Sequence, residues 1–313
     1  MQYYFAPMEG LTDSVYRRLH SRYFPGIHRY YAPFFSPTIH RKLTPKEARE
    51  LPQADTLGYT LIPQVLTKVP EDFLWFAQQC QDLGYTQINL NLGCPSGTVT
   101  AKGKGSGMLK EPQVLCQFLD SLFSKTPLPV SVKTRIGYHD PQEFPNLLEI
   151  FNRYPICELT VHPRVRSQFY NGSADMMAFD YCVANSKIPL CYNGNLNCKE
   201  DIACFREAYP SVGAVMLGRG LIGNPGMLSS DVTADRLQAF YNELLEEYTA
   251  TFGSARNAMF RMKENWRHLL CLFENSEKLG KRLRKTTDLT EFKQITDSVF
   301  KTLPLRNDLN PDW

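Results

Sequence analysis

The sequence lacks long apolar runs. Its longest apolar stretches, such as residues 212–217, end well short of the roughly 20 residues that span a bilayer, and the mean hydropathy is −0.33. The first residues, MQYYFAPM, have neither the basic segment nor the apolar segment of a secretory signal. We therefore expect a cytoplasmic protein with no membrane partner.

The nine cysteines are odd in number, include no Cys-x-x-Cys pair, and have no Cys/His spacing suited to zinc. This pattern argues against a disulfide framework and against a structural metal. We expect reduced and mostly buried thiols. The length of 313 residues suits one large barrel with an appendage, or two ordinary domains.

Eight short strand-like runs each precede a segment that can form a helix. The runs cover residues 3–8, 28–35, 59–66, 87–91, 129–136, 157–162, 189–193 and 214–218. Eight such alternations over about 230 residues predict an α/β fold of the (β/α)8 TIM-barrel type. A doubly wound sheet is the alternative, but it would usually have fewer strands and a glycine-rich loop after the first.

The pattern changes after residue 230, where residues 234–252, 254–273, 279–287 and 290–303 all indicate helices. We therefore predict a barrel domain over residues 1–230 and an all-α helical bundle over residues 231–313. Between residues 254 and 286, nine Lys and Arg face three Glu, a net +6, which leaves −3 for the rest of the chain. A basic tail on a weakly acidic barrel predicts a polyanionic partner such as RNA.

Polar side chains recur at the carboxyl ends of the predicted strands, where TIM barrels build their active sites. In residues 130–136 (VSVKTRI), Lys133 and Arg135 share one face because side chains alternate along a strand. The other polar positions of this kind are Gln64, Asn91, His162 and Asn193. Each alone is compatible with a structural role, but together they would leave several polar groups unsatisfied without a large polar cofactor.

Two kinds of loop add to this prediction. The loops after the seventh and eighth strands carry residues 193–195 (NGN) and 218–220 (GRG), in positions where TIM barrels commonly bind phosphate. The loop after the fourth strand places Cys94 between a glycine and a proline on a glycine-rich segment that we expect to be mobile. A thiol there suits an acid acting on a substrate above the cofactor.

These motifs, read in order, resemble those of the tRNA-dihydrouridine synthases. The resemblance rests on residues 6–10 (APMEG), Gln64, 91–95 (NLGCP), 131–135 (SVKTR), His162 with Arg164, 193–194 (NG) and 218–220 (GRG), and continues in residues 261–268 (RMKENWRH). It implies FMN across the barrel mouth. Ala6, Pro7 and Met8 would line the flavin ring, Gln64, Lys133 and His162 would hold it, and Asn193, Gly194, Gly218 and Arg219 would lie near its phosphate.

The resemblance also implies the reaction. NADPH reduces the flavin, hydride reaches C6 of a uridine in the D-loop of tRNA, and Cys94 protonates C5 as the general acid. Asn91, Arg135 and Arg164 would contact the nucleotide, which has to leave its stack to be reached. The tail residues expected to bind RNA are Arg261, Lys263, Arg267, Lys281, Arg282, Arg284 and Lys285.

Three alternatives stay open from the sequence. The enzyme could act on ribosomal RNA, or it could be an FMN barrel acting on a free small molecule such as dihydroorotate, although the basic tail argues against the latter. An RNA-binding protein on an inactive barrel is disfavoured because Cys94, Lys133 and His162 are all present. We expect a monomer.

Overall fold

The computed structural model describes residues 1–229 and 232–306. Its strands are β1 Gln2–Phe5, β2 Arg29–Tyr31, β3 Leu61–Ile62, β4 Gln64–Val65, β5 Ile88–Leu92, β6 Val130–Arg135, β7 Glu158–His162, β8 Leu190–Tyr192 and β9 Ala214–Leu217. They form one sheet in the order β3-β2-β1-β9-β8-β7-β6-β5-β4.

The two ends of this sheet are halves of one chain segment. β3 pairs with β2 and β4 pairs with β5, and only Pro63 stands between β3 and β4. Proline cannot donate a ladder hydrogen bond, but its carbonyl accepts one from the backbone N–H of Asn89 at 2.8 Å. The segment therefore closes the sheet, and the predicted eight-stranded TIM barrel is confirmed.

The helices are α1 Ser14–Tyr23, α2 Pro45–Glu50, α3 Pro70–Asp82, α4 Gly97–Thr100, α5 Pro112–Phe123, α6 Phe144–Phe151, α7 Met176–Asn185, α8 Lys199–Ala208, α9 Arg219–Gly223, α10 Ala234–Phe252, α11 Ala255–Leu269, α12 Glu277–Lys285 and α13 Leu289–Thr302. The four helices predicted after residue 230 correspond to α10, α11, α12 and α13, with limits that agree to within a few residues. The predicted second strand is shorter, because Pro33 interrupts it before Phe35 bridges to Val65. Within the described residues, no helix is both long and apolar enough to cross a membrane.

The chain divides into two compact units. The first comprises Met1–Pro7, His28–Asn195 and Arg206–Met216, and the second comprises Met8–Ile27, Leu196–Phe205 and Leu217–Trp313, of which 230–231 and 307–313 lie outside the described residues. The domain boundary predicted near residue 230 also falls outside the described part of the chain. The predicted domain limits therefore stay a prediction.

The first unit contains most of the sheet, and a buried polar cluster lies inside it. Glu158, at the start of β7, accepts hydrogen bonds from the hydroxyls of Tyr4 at 2.8 Å and Tyr31 at 3.2 Å, and lies 3.6 Å from Arg29. A buried carboxylate needs such partners to offset its lost hydration. The rings of the same two tyrosines belong to a buried cluster in the barrel interior that also contains Ala6, Ile62, Cys191, Ala214 and Met216.

The second unit is helical, with α1 and α11 both packed on α10, and α13 on α10, α11 and α12. The ring of Trp266 lies 5.2 Å from the rings of Tyr241 and of Phe300 at its core. α10 ends at Gly253, whose φ of 60° is the left-handed conformation that favours glycine. Ser254 then begins α11 by accepting the N–H of Asn257 on its side chain.

Candidate active site at the carboxyl ends of the barrel strands

A row of polar residues crosses the inner face of the barrel near the carboxyl ends of its strands. The register pairs Asn91 with Lys133, Lys133 with Thr160, and Thr160 with Cys191. Partners in adjacent parallel strands face the same side of a sheet, and Cys191 belongs to the interior cluster. Lys133 therefore points into the barrel, as its sequence position predicts.

Lys133 carries its charge inside the barrel. Within residues 1–229 and 232–306 no hydrogen bond or ion pair reaches its ammonium group, and the side chain is partly exposed. Burial lowers the pKa of Lys133 to about 8, and the nearby Arg135 guanidinium lowers it further. An electron-rich or anionic ligand would supply the missing partner.

Buried amides form a chain next to this lysine. Gln64 Nε2 donates to Asn89 Oδ1 at 2.7 Å, and Asn91 Nδ2 donates to Gln64 Oε1 at 2.8 Å. Asn91 Oδ1 then accepts the backbone N–H groups of Gly93 at 3.0 Å and Cys94 at 2.9 Å. Asn91 thus positions the Cys94 loop, and Gln64 is fully buried; the contacts predicted for them with substrate and flavin stay predictions.

The Cys94 loop is tied down at several points. The Cys94 carbonyl accepts from the N–H of Ser106 at 3.2 Å and from its hydroxyl at 2.8 Å. Gly105 has a φ of 58°, and a Cβ there would lie 2.9 Å from the Cys94 carbonyl oxygen. The thiol of Cys94 itself is on a partly exposed residue. These contacts hold the backbone next to Cys94, and the expected mobility of the loop stays a prediction.

Arg135 joins the loop after β5 to the loop after β7 by hydrogen bonds. Its Nε donates to the carbonyl of Gly93 at 2.9 Å, its Nη1 to that of Val165 at 3.0 Å, and its Nη2 to that of Phe169 at 2.7 Å. Burial lowers the pKa of Arg135 to about 10. These contacts use three of the five guanidinium N–H groups, and its predicted contact with the nucleotide stays a prediction.

Arg166 makes similar contacts, and the sequence analysis missed it. Its Nε donates to the Pro95 carbonyl at 3.1 Å, and its guanidinium lies 5.5 Å from the ring of Tyr138 and 5.2 Å from that of Phe169. A signal was present, since residues 162–166 (HPRVR) place a second arginine two positions after Arg164. Arg166 thereby braces the Cys94 loop beyond the proline.

His162 and Arg164 are bonded to each other. Arg164 Nη1 lies 3.0 Å from His162 Nε2, and because a guanidinium only donates, Nε2 accepts and the ring is in the neutral form protonated on Nδ1. Arg164 also donates to the Gly172 carbonyl and, at 3.0 Å, to Asn195 Oδ1. Arg164 is buried, so it holds the loop after β7 around His162.

The loop after β8 leaves no space for a side chain at Gly194. A Cβ there would lie 2.0 Å from the Tyr192 hydroxyl oxygen. Asn193 Nδ2 donates to the Met216 carbonyl at 2.8 Å, which joins this loop to β9. Ala6 is buried in the interior, and Pro7 is partly exposed. These four residues stay predicted flavin contacts on the first unit.

The second unit carries the remaining predicted cofactor residues. Met8 is partly exposed and its N–H donates to Thr12 Oγ1 at 2.8 Å, while Gly218 precedes α9 and Arg219 begins it. Burial lowers the pKa of His268 to about 4, and the positive charges of Arg267 and Arg219 lower it further. Arg219 therefore lies near His268. Its part in binding phosphate stays a prediction.

The predicted RNA-binding residues fall into two groups. Arg261 donates to the Gly10 carbonyl, Lys263 donates to the carbonyls of Arg284 and Thr286, and Arg282 lies 3.4 Å from Glu291. These three are engaged with the protein itself. The exposed group is Arg267, Lys281, Arg284 and Lys285. The exposed residues keep their side chains available for an anion.

The fold and this site define a TIM barrel whose mouth presents a cation that no described residue pairs, a neutral imidazole and a thiol on a hydrogen-bonded loop. A model of the dihydrouridine synthase (Dus) family matches residues 4–308. The chain belongs to that family and is an oxidoreductase.

Named relatives agree with this assignment, and solved structures share the fold. The chain is 27% identical to a probable tRNA-dihydrouridine synthase 1 of Synechocystis sp., over 96% of this chain and 86% of the relative. It is 30% identical to a probable tRNA-dihydrouridine synthase of Rickettsia bellii, over 72% and 68%. Among solved structures, an old yellow enzyme homologue from Zymomonas mobilis covers 72% of this chain and 86% of its own, with a TM-score of 0.51 at 10% identity. That likeness shows the shared barrel fold.

Proposed function

We propose that this chain reduces uridine to 5,6-dihydrouridine in the D-loop of tRNA, with FMN as cofactor and NADPH as reductant. The observation that carries the proposal is Lys133, a cation inside the barrel with no partner among the described residues, in a chain of the dihydrouridine synthase family. The named relatives supply the tRNA substrate by analogy.

The residues of the first unit fit a flavin. Lys133 would complement negative charge on the reduced ring, and His162, neutral with its proton on Nδ1, would be a hydrogen-bond donor. Bound FMN would supply the hydride that adds to C6 of the uracil. NADPH would restore the reduced flavin. Gln64, Ala6, Pro7, Asn193 and Gly194 complete the proposed contacts on this unit, while the parts expected of Met8, Gly218 and Arg219 rest on the family resemblance alone.

Cys94 would supply the proton. Hydride addition at C6 leaves an electron pair that needs a proton at C5, and the thiol donates it and becomes a thiolate that solvent reprotonates. A positioned thiol can act as such an acid. The Cys94 N–H donates to Asn91 Oδ1 and the Cys94 carbonyl accepts from Ser106, which fixes the backbone of the donor on both sides. Arg135 and Arg166 hold the same loop through the carbonyls of its neighbours Gly93 and Pro95.

The test is direct. The purified protein is expected to be yellow and to release FMN on denaturation. With NADPH and an unmodified tRNA transcript it is expected to form dihydrouridine, measured by nucleoside mass spectrometry, and a ribosomal RNA transcript run in parallel tests the alternative substrate. A different released chromophore, full activity without flavin, or dihydrouridine formed only in ribosomal RNA would refute the respective part of the proposal.

A further inference from the structure

An exposed aromatic ring stands on the outer face of α11. The apolar side chains of this helix are otherwise buried, among them Met259, Met262 and Trp266, but Phe260 is 40% exposed. A single exposed apolar side chain is ordinary on a protein surface, so the charges next to this ring decide what it can contact.

Cations surround this ring. The Arg256 guanidinium lies 5.7 Å and the Lys263 ammonium 5.1 Å from the Phe260 ring centroid. Residues 256, 260, 263 and 267 follow a helical spacing of four, three and four, so they line up on one face. We call Arg256, Phe260, Lys263 and Arg267 the Phe260 stripe.

The basic end of α12 adjoins this stripe. Lys263 donates to the carbonyls of Arg284, at 3.2 Å, and of Thr286, which holds the exposed Arg284 and Lys285 beside it. Lys263 is thus anchored, whereas the Arg256 guanidinium lies over the Phe260 ring and makes no hydrogen bond or ion pair within the described ranges 1–229 and 232–306. Arg256 can turn towards an anion without losing an ion pair.

We propose that Phe260 stacks on one unpaired base of the RNA substrate, other than the target uridine, while Arg256 and Arg267 contact the flanking phosphates. The inference rests on the proposed function, because it takes RNA as the substrate. An aromatic ring set among cations is the usual device for gripping single-stranded nucleic acid, since every base has a face to stack and every linkage has a charge. A protein partner would need further apolar residues around the ring, and the stripe offers cations instead.

The test compares variants of the whole protein for binding to an unmodified tRNA transcript over a series of salt concentrations. Phe260→Leu keeps an apolar side chain and removes the ring face, so Kd is expected to rise about 5- to 150-fold with the salt slope unchanged. Phe260→Trp should bind like the wild type. Arg256→Gln should lower the salt slope by about one. Tyr181→Leu, at a ring 41% exposed on α7, is the matched control and should change nothing.

Equal binding by Phe260→Leu and the wild type would overturn the inference and leave the stripe as a surface for a protein. It would also be overturned if Phe260→Trp bound as weakly as Phe260→Leu, because the wider ring restores stacking. Dihydrouridine formation by the wild type distinguishes a failure of the stacking inference from a failure of the proposed function. If it occurs while the variants behave alike, only the stacking inference fails; if the wild type neither binds nor modifies RNA, the proposed function fails and the inference fails with it.

Discussion

Replacing Lys133 with methionine is expected to stabilise the cofactor-free protein while damaging the reaction. Burial and the neighbouring Arg135 guanidinium lower the pKa of Lys133 from its ordinary 10.5 to about 8. At 1.36 kcal/mol per pKa unit, holding this charge costs the folded protein about 3 kcal/mol below pH 8. Because the side chain is partly exposed and solvent screens it, we expect Lys133→Met to gain about 1 to 3 kcal/mol at pH 7.

The sign of the pH dependence makes this prediction specific. The folded-state pKa lies below the unfolded one, so the unfolded chain binds more protons between pH 8 and pH 10.5 and stability rises with pH across that window. At pH 10 the cost of the charge has fallen below about 1 kcal/mol. The advantage of Lys133→Met over the wild type should therefore shrink between pH 7 and pH 10.

Urea unfolding of FMN-free wild type, Lys133→Met and the exposed-site control Lys187→Met measures this difference at both pH values. The same Lys133 variant should form dihydrouridine about 10²-fold more slowly, the usual effect of removing a positioned donor from an active site. No gain in stability at pH 7, or the same gain at pH 7 and pH 10, would show that Lys133 carries no uncompensated charge.

Two further predictions concern the loops of the barrel. Cys94→Ala should retain FMN, its reduction by NADPH and tRNA binding, yet lower the single-turnover rate of dihydrouridine formation by about 10²- to 10⁴-fold. The control Cys116→Ala on α5 should leave that rate unchanged. A near-wild-type rate for Cys94→Ala would assign the proton to another group. Gly194→Ala would place a Cβ 2.0 Å from the Tyr192 hydroxyl oxygen and should cost about 1 to 3 kcal/mol in thermal or urea unfolding. At Gly213 an added Cβ meets no atom within 4 Å, so Gly213→Ala is the control, and equal costs at both positions would refute the steric argument.

The barrel could be predicted from the sequence because its signals are local. A strand of four or five residues with period-two patterning can be read without knowing its neighbours, and the same period placed Lys133 and Arg135 on one face. Closure of the sheet at Pro63 was not foreseen. It depends on one segment pairing with two different strands, which no local pattern encodes.

The burial of the cysteines is a second property that local sequence patterns do not predict. The sequence predicts mostly buried cysteines, and the structure buries four of the nine, Cys80, Cys182, Cys191 and Cys198. Burial of a thiol depends on which elements cover it, and hydrophobicity alone leaves that open. Cys94 is one of the partly exposed cysteines, as an acid facing a substrate requires.

The arginines show why residue type at a strand end does not settle a residue's role. Arg135 and Arg164 were assigned to the nucleotide because cations at a barrel mouth suit an anion, yet their guanidinium groups bond to carbonyls of residues 93, 165, 169 and 172. Those carbonyls lie on loops whose conformation the sequence leaves open. Lysine offers a point charge, whereas arginine has five donors in a fixed fork and can join several carbonyls at once. In this barrel both arginines order loops through these bonds, and their predicted contacts with the nucleotide stay predictions beside them. Lys133 makes no such bond within residues 1–229 and 232–306, which is why the proposal gives it the flavin.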